Sequence, residues 1–166
     1  NRLAKAGGDF DWHVAFHPYP ENLFEPRTWN DRSAPSDWRT APRITFRNLE
    51  QLPLYLEQPE LLHEGRPRRI LLSEQGFHTP EGEDGERIQA AAYCYAWKRA
   101  ESLPGIDSFI LHRHVDHSHE GGLRLGLWSN RPGSIADPER RKPIYEVFRL
   151  ADTPEWERAF EFALPV

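Results

Sequence analysis

A carboxylate at the end of an apolar run is the first place in this sequence where chemistry could sit. Glu74 directly follows ILLS at residues 70–73, so a rigid strand would carry it to the rim of a sheet. Sites in parallel α/β folds lie at the carboxyl ends of strands. Ile70, Leu72 and Glu74 share one parity, which predicts that Glu74 points the way the inner layer points. Gly76, two residues on, permits a sharp or close backbone path. The plainer account is an acidic strand end paired with an arginine.

Two further groups stand in equivalent places. His17-Pro18-Tyr19-Pro20 follows a first apolar run, and His17 and Tyr19 extend the face begun by His13 and Ala15. A histidine and a tyrosine in one mouth can orient a carboxylate and donate hydrogen bonds to hydroxyls; the alternative is a turn whose ring packs under a loop. After a third run come His112, His114, Asp116, His117 and His119. His112 and His114 share a face if the strand continues, a spacing compatible with Zn or a similar ion. Neutral imidazoles that hydrogen-bond sugar hydroxyls are the competing reading, and a solvent-facing loop is the simplest account of His117 and His119. Trp128, after the glycine-rich GGLRLGLW, and Trp29 and Trp38 in the first long loop are sugar platforms or loop anchors.

The elements that position these groups follow from the hydrophobic pattern. Short apolar runs over residues 12–16, 69–73 and 108–111 read as strands buried on both faces. A helix is expected over 86–101, with Asp84 as N-cap, Pro104-Gly105 beyond its end, and Ile88, Ala91, Ala92 and Tyr95 on one face. A weaker helix over 48–58 should be kinked or restarted at Pro53, and a third, over 140–150, places Ile144, Val147 and Phe148 on one side. Alternation of strand and helix implies α/β architecture with right-handed parallel βαβ units. A small doubly wound sheet would satisfy that order too. The loop of about 30 residues after the first strand, however, far exceeds the usual two to six and marks a functional face.

Composition narrows the partners. With 166 residues, 38% hydrophobic and 28% charged, the chain can bury a core and is read as one unit, residues 1–166. A formal charge of −5 without a basic stripe argues against nucleic acid. No apolar run approaches the about 20 residues of a membrane span, and the opening residues lack the basic, apolar, small-residue order of a signal peptide. Arg66, Arg68 and Arg69 form the densest basic patch and read as a solvated approach to a strand. The single cysteine, Cys94, lies in AAYCYAW and is expected to be a buried structural thiol. The chain opens on Asn1 and holds no methionine, so it is expected to be a processed product, a fragment or an incomplete sequence.

Taken together, HPYP, LSEQGF about 55 residues later and a polar strand end about 40 residues after that resemble strands six, seven and eight of the clan A glycoside hydrolases. The segments FHPYPENLFEPRTWND, ILLSEQGFHTP and FILHRHVDHSHEGG are more narrowly similar to an uncharacterised family of bacterial barrels related to that clan. The resemblance spans about residues 10 to 150. It implies a partial (β/α)8 TIM barrel, about its last three β/α units, and a parent that hydrolyses glycosidic bonds with retention. His17 and Tyr19 match the clan's His-x-Tyr pair and Glu74 its nucleophile, with His112, His114 and Trp128 as substrate-binding residues. The clan's acid/base glutamate follows an asparagine at strand four and has no match here, since Glu21-Asn22 has the reverse order; His112 stands where tryptophan is common. The implied partner is a carbohydrate, with the missing amino-terminal half of the barrel or another chain covering the open sheet edges. No cofactor is expected, and a polysaccharide-degrading parent would be secreted or periplasmic. A non-catalytic carbohydrate-binding barrel, or a metal-dependent hydrolase using the His112–His119 run, would fit the same residues.

Overall fold

Three apolar runs separated by tens of residues are too far apart for hairpins, and they pair in parallel. In the computed structural model, which describes residues 6–166, β1 (Val14–Phe16), β2 (Ile70–Gln75) and β3 (Ile106–Leu111) form one sheet in the order β1-β2-β3. Phe16 lies opposite Leu72, and Leu72 opposite Phe109. These three, with Val14, Ile70 and Ile106, face the helical layer, where Ile70 and Leu72 are fully buried. The register puts Ala15, Leu71 and Ser108 on the other face. That face is left largely open by the described residues: His13, Ala15 and His17 are exposed, and Ile110 is 55% exposed.

The first helical stretch divides in two. Thr45 caps a 3-10 turn at Phe46–Asn48 through a capping box with Asn48, and α1 (Gln51–Leu56) begins just after it. Pro53 sits in the first turn of α1, where its missing N–H removes no helical bond. The expected kink is therefore replaced by a fresh helix start. α2 (Gly85–Glu101) lies on the sheet, and Asp84 occupies its N-cap position without a side-chain cap bond. Of the expected stripe only Ala91 and Ala92 are buried; Ile88 and Tyr95 are half-buried, and Gln89, Ala90, Tyr93, Ala96, Trp97 and Ala100 are buried instead. The reason is that α2 is covered twice: by the sheet, and by α3 (Pro143–Leu150) with the 3-10 turn Glu161–Ala163. Aromatic rings lock these layers: Phe46 to Phe109 at 5.6 Å, Phe109 to Tyr93 at 5.6 Å and Trp97 to Phe160 of α4 (Trp156–Phe160) at 5.5 Å. Cys94 is buried among them, and burial pushes its thiol up to about 12, as an inert structural cysteine requires.

Two expectations are corrected. The helix over 140–150 loses its first turn, because Arg140 and Arg141 belong to β5 (Pro138–Arg141), which pairs antiparallel with β4 (Trp128–Asn130). Pro143, with its pre-set φ, then opens α3 at the first helical position. Arg68 is not solvated. It is 4% exposed, donates to Phe10 O at 2.6 Å and Leu61 O at 2.9 Å, pairs with Asp9 at 2.5 Å, and stacks 4.4 Å from the Trp12 ring centre. These partners, with Asp11 Oδ1 at 3.8 Å, satisfy the charge, which is what lets a guanidinium enter the interior.

The long loop after β1 carries a staple that titrates. Glu21 accepts from the backbone N–H of Ser33 at 2.7 Å and from the Ser33 hydroxyl, and Arg43 donates to the Glu21 carbonyl at 3.0 Å. The serine hydroxyl, then the backbone N–H groups of Arg32 and Ser33, hold the Glu21 carboxyl at about 2 instead of 4.5. A depressed folded-state pKa gives stability that is complete above the unfolded value and is lost as pH falls through the folded one. Acid titration of folding stability should therefore be shallower between pH 4.5 and 2 for Glu21→Gln than for the native protein. Equal slopes in urea denaturation across that window would show that the staple also persists in the unfolded chain.

Candidate active site

The site is built where β1, β2 and β3 end. Along β2 the pairing with β3 slips between Leu72 and Gln75. Ile70 and Leu72 are buried, Ser73 and Glu74 are both half-buried, and Gln75 is buried again. Glu74 therefore does not continue the face of Ile70 and Leu72, which is the helix-covered one. The Gln75 amide occupies the irregularity, donating to Ile110 O at 2.6 Å and Leu72 O at 3.3 Å. An irregularity of this kind re-aims a side chain at the end of a strand.

Tyr19 and Glu74 meet there, with the Tyr19 hydroxyl donating to Glu74 Oε1 at 2.9 Å. Among the described residues no arginine pairs with Glu74, so the plain ion-pair account does not apply. Beside them, His17 Nε2 lies 3.0 Å from Ser73 Oγ. Pro18 and Pro20 are buried and stiffen the turn that presents both His17 and Tyr19. Burial, then the hydrogen bond to the Glu74 carboxylate and the charges of Glu74 and Glu120, push the Tyr19 phenol well above its usual range. Tyr19 therefore stays a donor at neutral and alkaline pH.

The end of β3 closes against the same rim. His112 N–H donates to Gln75 O at 2.7 Å, and a Cβ on Gly76 would run into the His112 carbonyl oxygen, so only glycine lets the two strand ends lie this close. His112 Nε2 is 2.8 Å from Glu120 Oε1, and Arg113 donates to Glu120 Oε2 at 2.9 Å. Glu120 escaped the sequence reading. Its only signal there is Gly121-Gly122, both at positive φ, which turn the loop so that a residue eight positions on returns to the rim. Burial raises the Glu120 carboxyl, but the hydrogen bonds from His112 and Arg113 outweigh it and hold the group below the usual carboxylate range.

The rest of the histidine run scatters. His114 is exposed, with its ring 6.5 Å from that of Trp128. Asp116 is buried and turned away to Lys142, while His117 and His119 stack edge-on at 5.9 Å. Among the described residues no three His, Cys, Asp or Glu side chains stand where they could hold a metal ion. Trp128 meets the Tyr145 ring edge-on at 5.8 Å with the Arg141 guanidinium 5.2 Å from its centre; its ring contacts run to the β4–β5 hairpin, α3 and His114, not to Glu74 or Tyr19. Trp29 against Tyr95 and Trp38 against Tyr55 anchor the long loop.

The fold has a counterpart among solved structures. A family 39 glycoside hydrolase from the gut symbiont Bacteroides cellulosilyticus WH2 aligns with a TM-score of 0.60 at 17% identity, over 92% of this chain. The chain spans 29% of that protein, less than a third of its length. The fold is therefore shared with part of that protein: a mixed α/β arrangement with a parallel three-stranded sheet, not closed into a barrel among the described residues. Comparison with curated proteins gave no match. The model of a family of unknown function, DUF5722, matches residues 1–166, and the chain belongs to that family.

Proposed function

We propose that the chain forms the last three β/α units of a (β/α)8 barrel and carries the nucleophile, Glu74, of a retaining glycoside hydrolase. The observation that carries this reading is the Tyr19–Glu74 hydrogen bond of 2.9 Å at the carboxyl ends of neighbouring parallel strands, in a glycosidase-like fold. The bare sheet face supports the barrel. Parallel sheets are normally covered on both faces, and a face left open and two edges left unpaired by the described residues suit further β/α units or another chain.

In this mechanism Tyr19 occupies Oε1 of Glu74 and leaves Oε2 to attack the anomeric carbon. The bond to the leaving oxygen breaks as a glycosyl ester forms, and water later releases the sugar. Proton donation to the leaving oxygen falls to a carboxylic acid outside this chain, standing about 5–5.5 Å from Glu74. Glu120 does not suit that role, since both its oxygens accept hydrogen bonds and it is held ionised. His17, bonded to Ser73, keeps the strand ends in place, while His112 and His114 are offered to sugar hydroxyls. The partner is a carbohydrate. No helix among the described residues is long and apolar enough to cross a membrane.

Labelling of the full-length protein with a panel of fluorosugar inactivators, followed by peptide mass spectrometry, tests the reading. A sugar ester on Glu74 is the expected result, and the reactive member of the panel would identify the sugar. A panel that binds in the cleft and leaves Glu74 unmodified would favour a non-catalytic carbohydrate-binding barrel.

A further inference from the structure

Glu120 takes no part in the bond cleavage proposed above, yet both its oxygens are spent at the rim of the site. Its loop is held by Glu120 N–H to His117 O at 3.2 Å and Leu123 N–H to Glu120 O at 3.1 Å. Gly122 faces the Phe24 ring of the loop after β1, so the turn bearing Glu120 lies against the segment that presents His17 and Tyr19. Glu120 is close enough to Tyr19 for its charge to act on the phenol.

We infer that Glu120 is a positioning residue that makes the end of β3 a subsite for an uncharged, hydroxyl-bearing sugar unit; only the ligand class, carbohydrate, rests on the glycosidase reading. An ionised carboxylate only accepts hydrogen bonds, so at 2.8 Å from Glu120 Oε1 the Nε2 atom of His112 carries the hydrogen. In its uncharged form the ring then has a lone pair at Nδ1 without a hydrogen-bond partner among the described residues, and the group it can bind is a donor: a sugar hydroxyl, not a ring oxygen or a carboxylate. The side chain is about one-third exposed, which leaves room for a ligand.

Charge points the same way. Arg113 would by itself invite an anionic sugar, but Glu120 Oε2 accepts its hydrogen bond at 2.9 Å and cancels its charge. Glu74 and Glu120 together set two carboxylates against one guanidinium around Tyr19, so a uronate or sulfated unit meets net repulsion.

The test uses full-length protein with 15N-labelled histidine rings, the His112 signals being assigned with His112→Gln. The neutral ring should be the Nε2–H tautomer in the native protein and a mixture of both tautomers in Glu120→Gln, whose amide can donate or accept. An Nδ1–H ring in the native protein overturns the proposal. Binding of neutral cello-, xylo- and manno-oligosaccharides is then compared with that of their uronic acid counterparts by calorimetry. The native protein should prefer the neutral set, and Glu120→Gln, which uncovers Arg113, should shift the ratio by about tenfold toward the acidic set. An unchanged ratio, or a native preference for uronates, overturns it as well. Should fluorosugars leave Glu74 unlabelled while tautomer and preference hold, the glycosidase reading fails and the subsite stands.

Discussion

Glu74→Gln in the full-length protein should lower kcat on an activated aryl glycoside by on the order of 10⁵-fold, with binding of the sugar retained. The amide has nearly the shape of the carboxylate and can still accept from the Tyr19 hydroxyl at Oε1. What it lacks is the anionic oxygen that attacks the anomeric carbon, so the loss falls on the chemical step and not on KM. Glu74→Ala goes further and opens a space at the end of β2. Added azide should enter that space and yield a glycosyl azide of inverted configuration, a product that the native enzyme does not make. Tyr19→Phe removes one hydrogen-bond donor and leaves the nucleophile, for an expected cost nearer about 10²-fold. Native-like turnover by Glu74→Gln would exclude Glu74 as nucleophile.

Lys142→Met should cost about 3–5 kcal/mol of folding stability, because it strands a buried carboxylate. Lys142 is the residue between β5 and α3, and its side chain is 1% exposed. Its ammonium group donates to Asp116 Oδ1 at 2.9 Å, Asp116 Oδ2 at 3.1 Å and Thr79 Oγ1 at 2.9 Å. The Thr79 hydroxyl donates in turn to Gln89 Oε1 at 2.8 Å, and Gln89 Nε2 to Phe77 O at 2.9 Å. Burial pulls the lysine pKa below 10.5, and Asp116 opposes that fall. Without the lysine, the Asp116 carboxylate keeps, among the described residues, only the Gly126 N–H at 2.6 Å as a partner. Asp116→Asn in the Lys142→Met background should therefore recover part of the loss, since the uncharged amide still accepts from Gly126. Urea denaturation of the native protein and the two variants checks this; a loss below about 1 kcal/mol in the single variant would mean that water replaces the ammonium.

The order of the three sheet strands and their parallel pairing were legible in the chain itself, whereas the antiparallel β4–β5 hairpin was not. Apolar runs too distant for hairpins and separated by helical spacing leave few topologies. His17, Tyr19 and Glu74 could be picked out for the same reason: a residue just after a buried run must stand at a sheet's rim. The direction of Glu74 was not legible, because an irregularity of the β2–β3 ladder, unmarked by any pattern, breaks the alternation on which parity arguments depend. Nor was the fate of the histidine run. Asp116 is withdrawn by a lysine 26 residues on, and His112 is held by a glutamate that arrives from eight residues beyond it. Arg68 looked solvated because its neighbours in sequence are charged, yet its partners Asp9 and Phe10 are 59 and 58 residues away. Hydrophobic periodicity is local and so determines strands, helices and their ends. The paths of loops carry no period, and the partners they bring to a buried charge are settled only when the whole chain has packed.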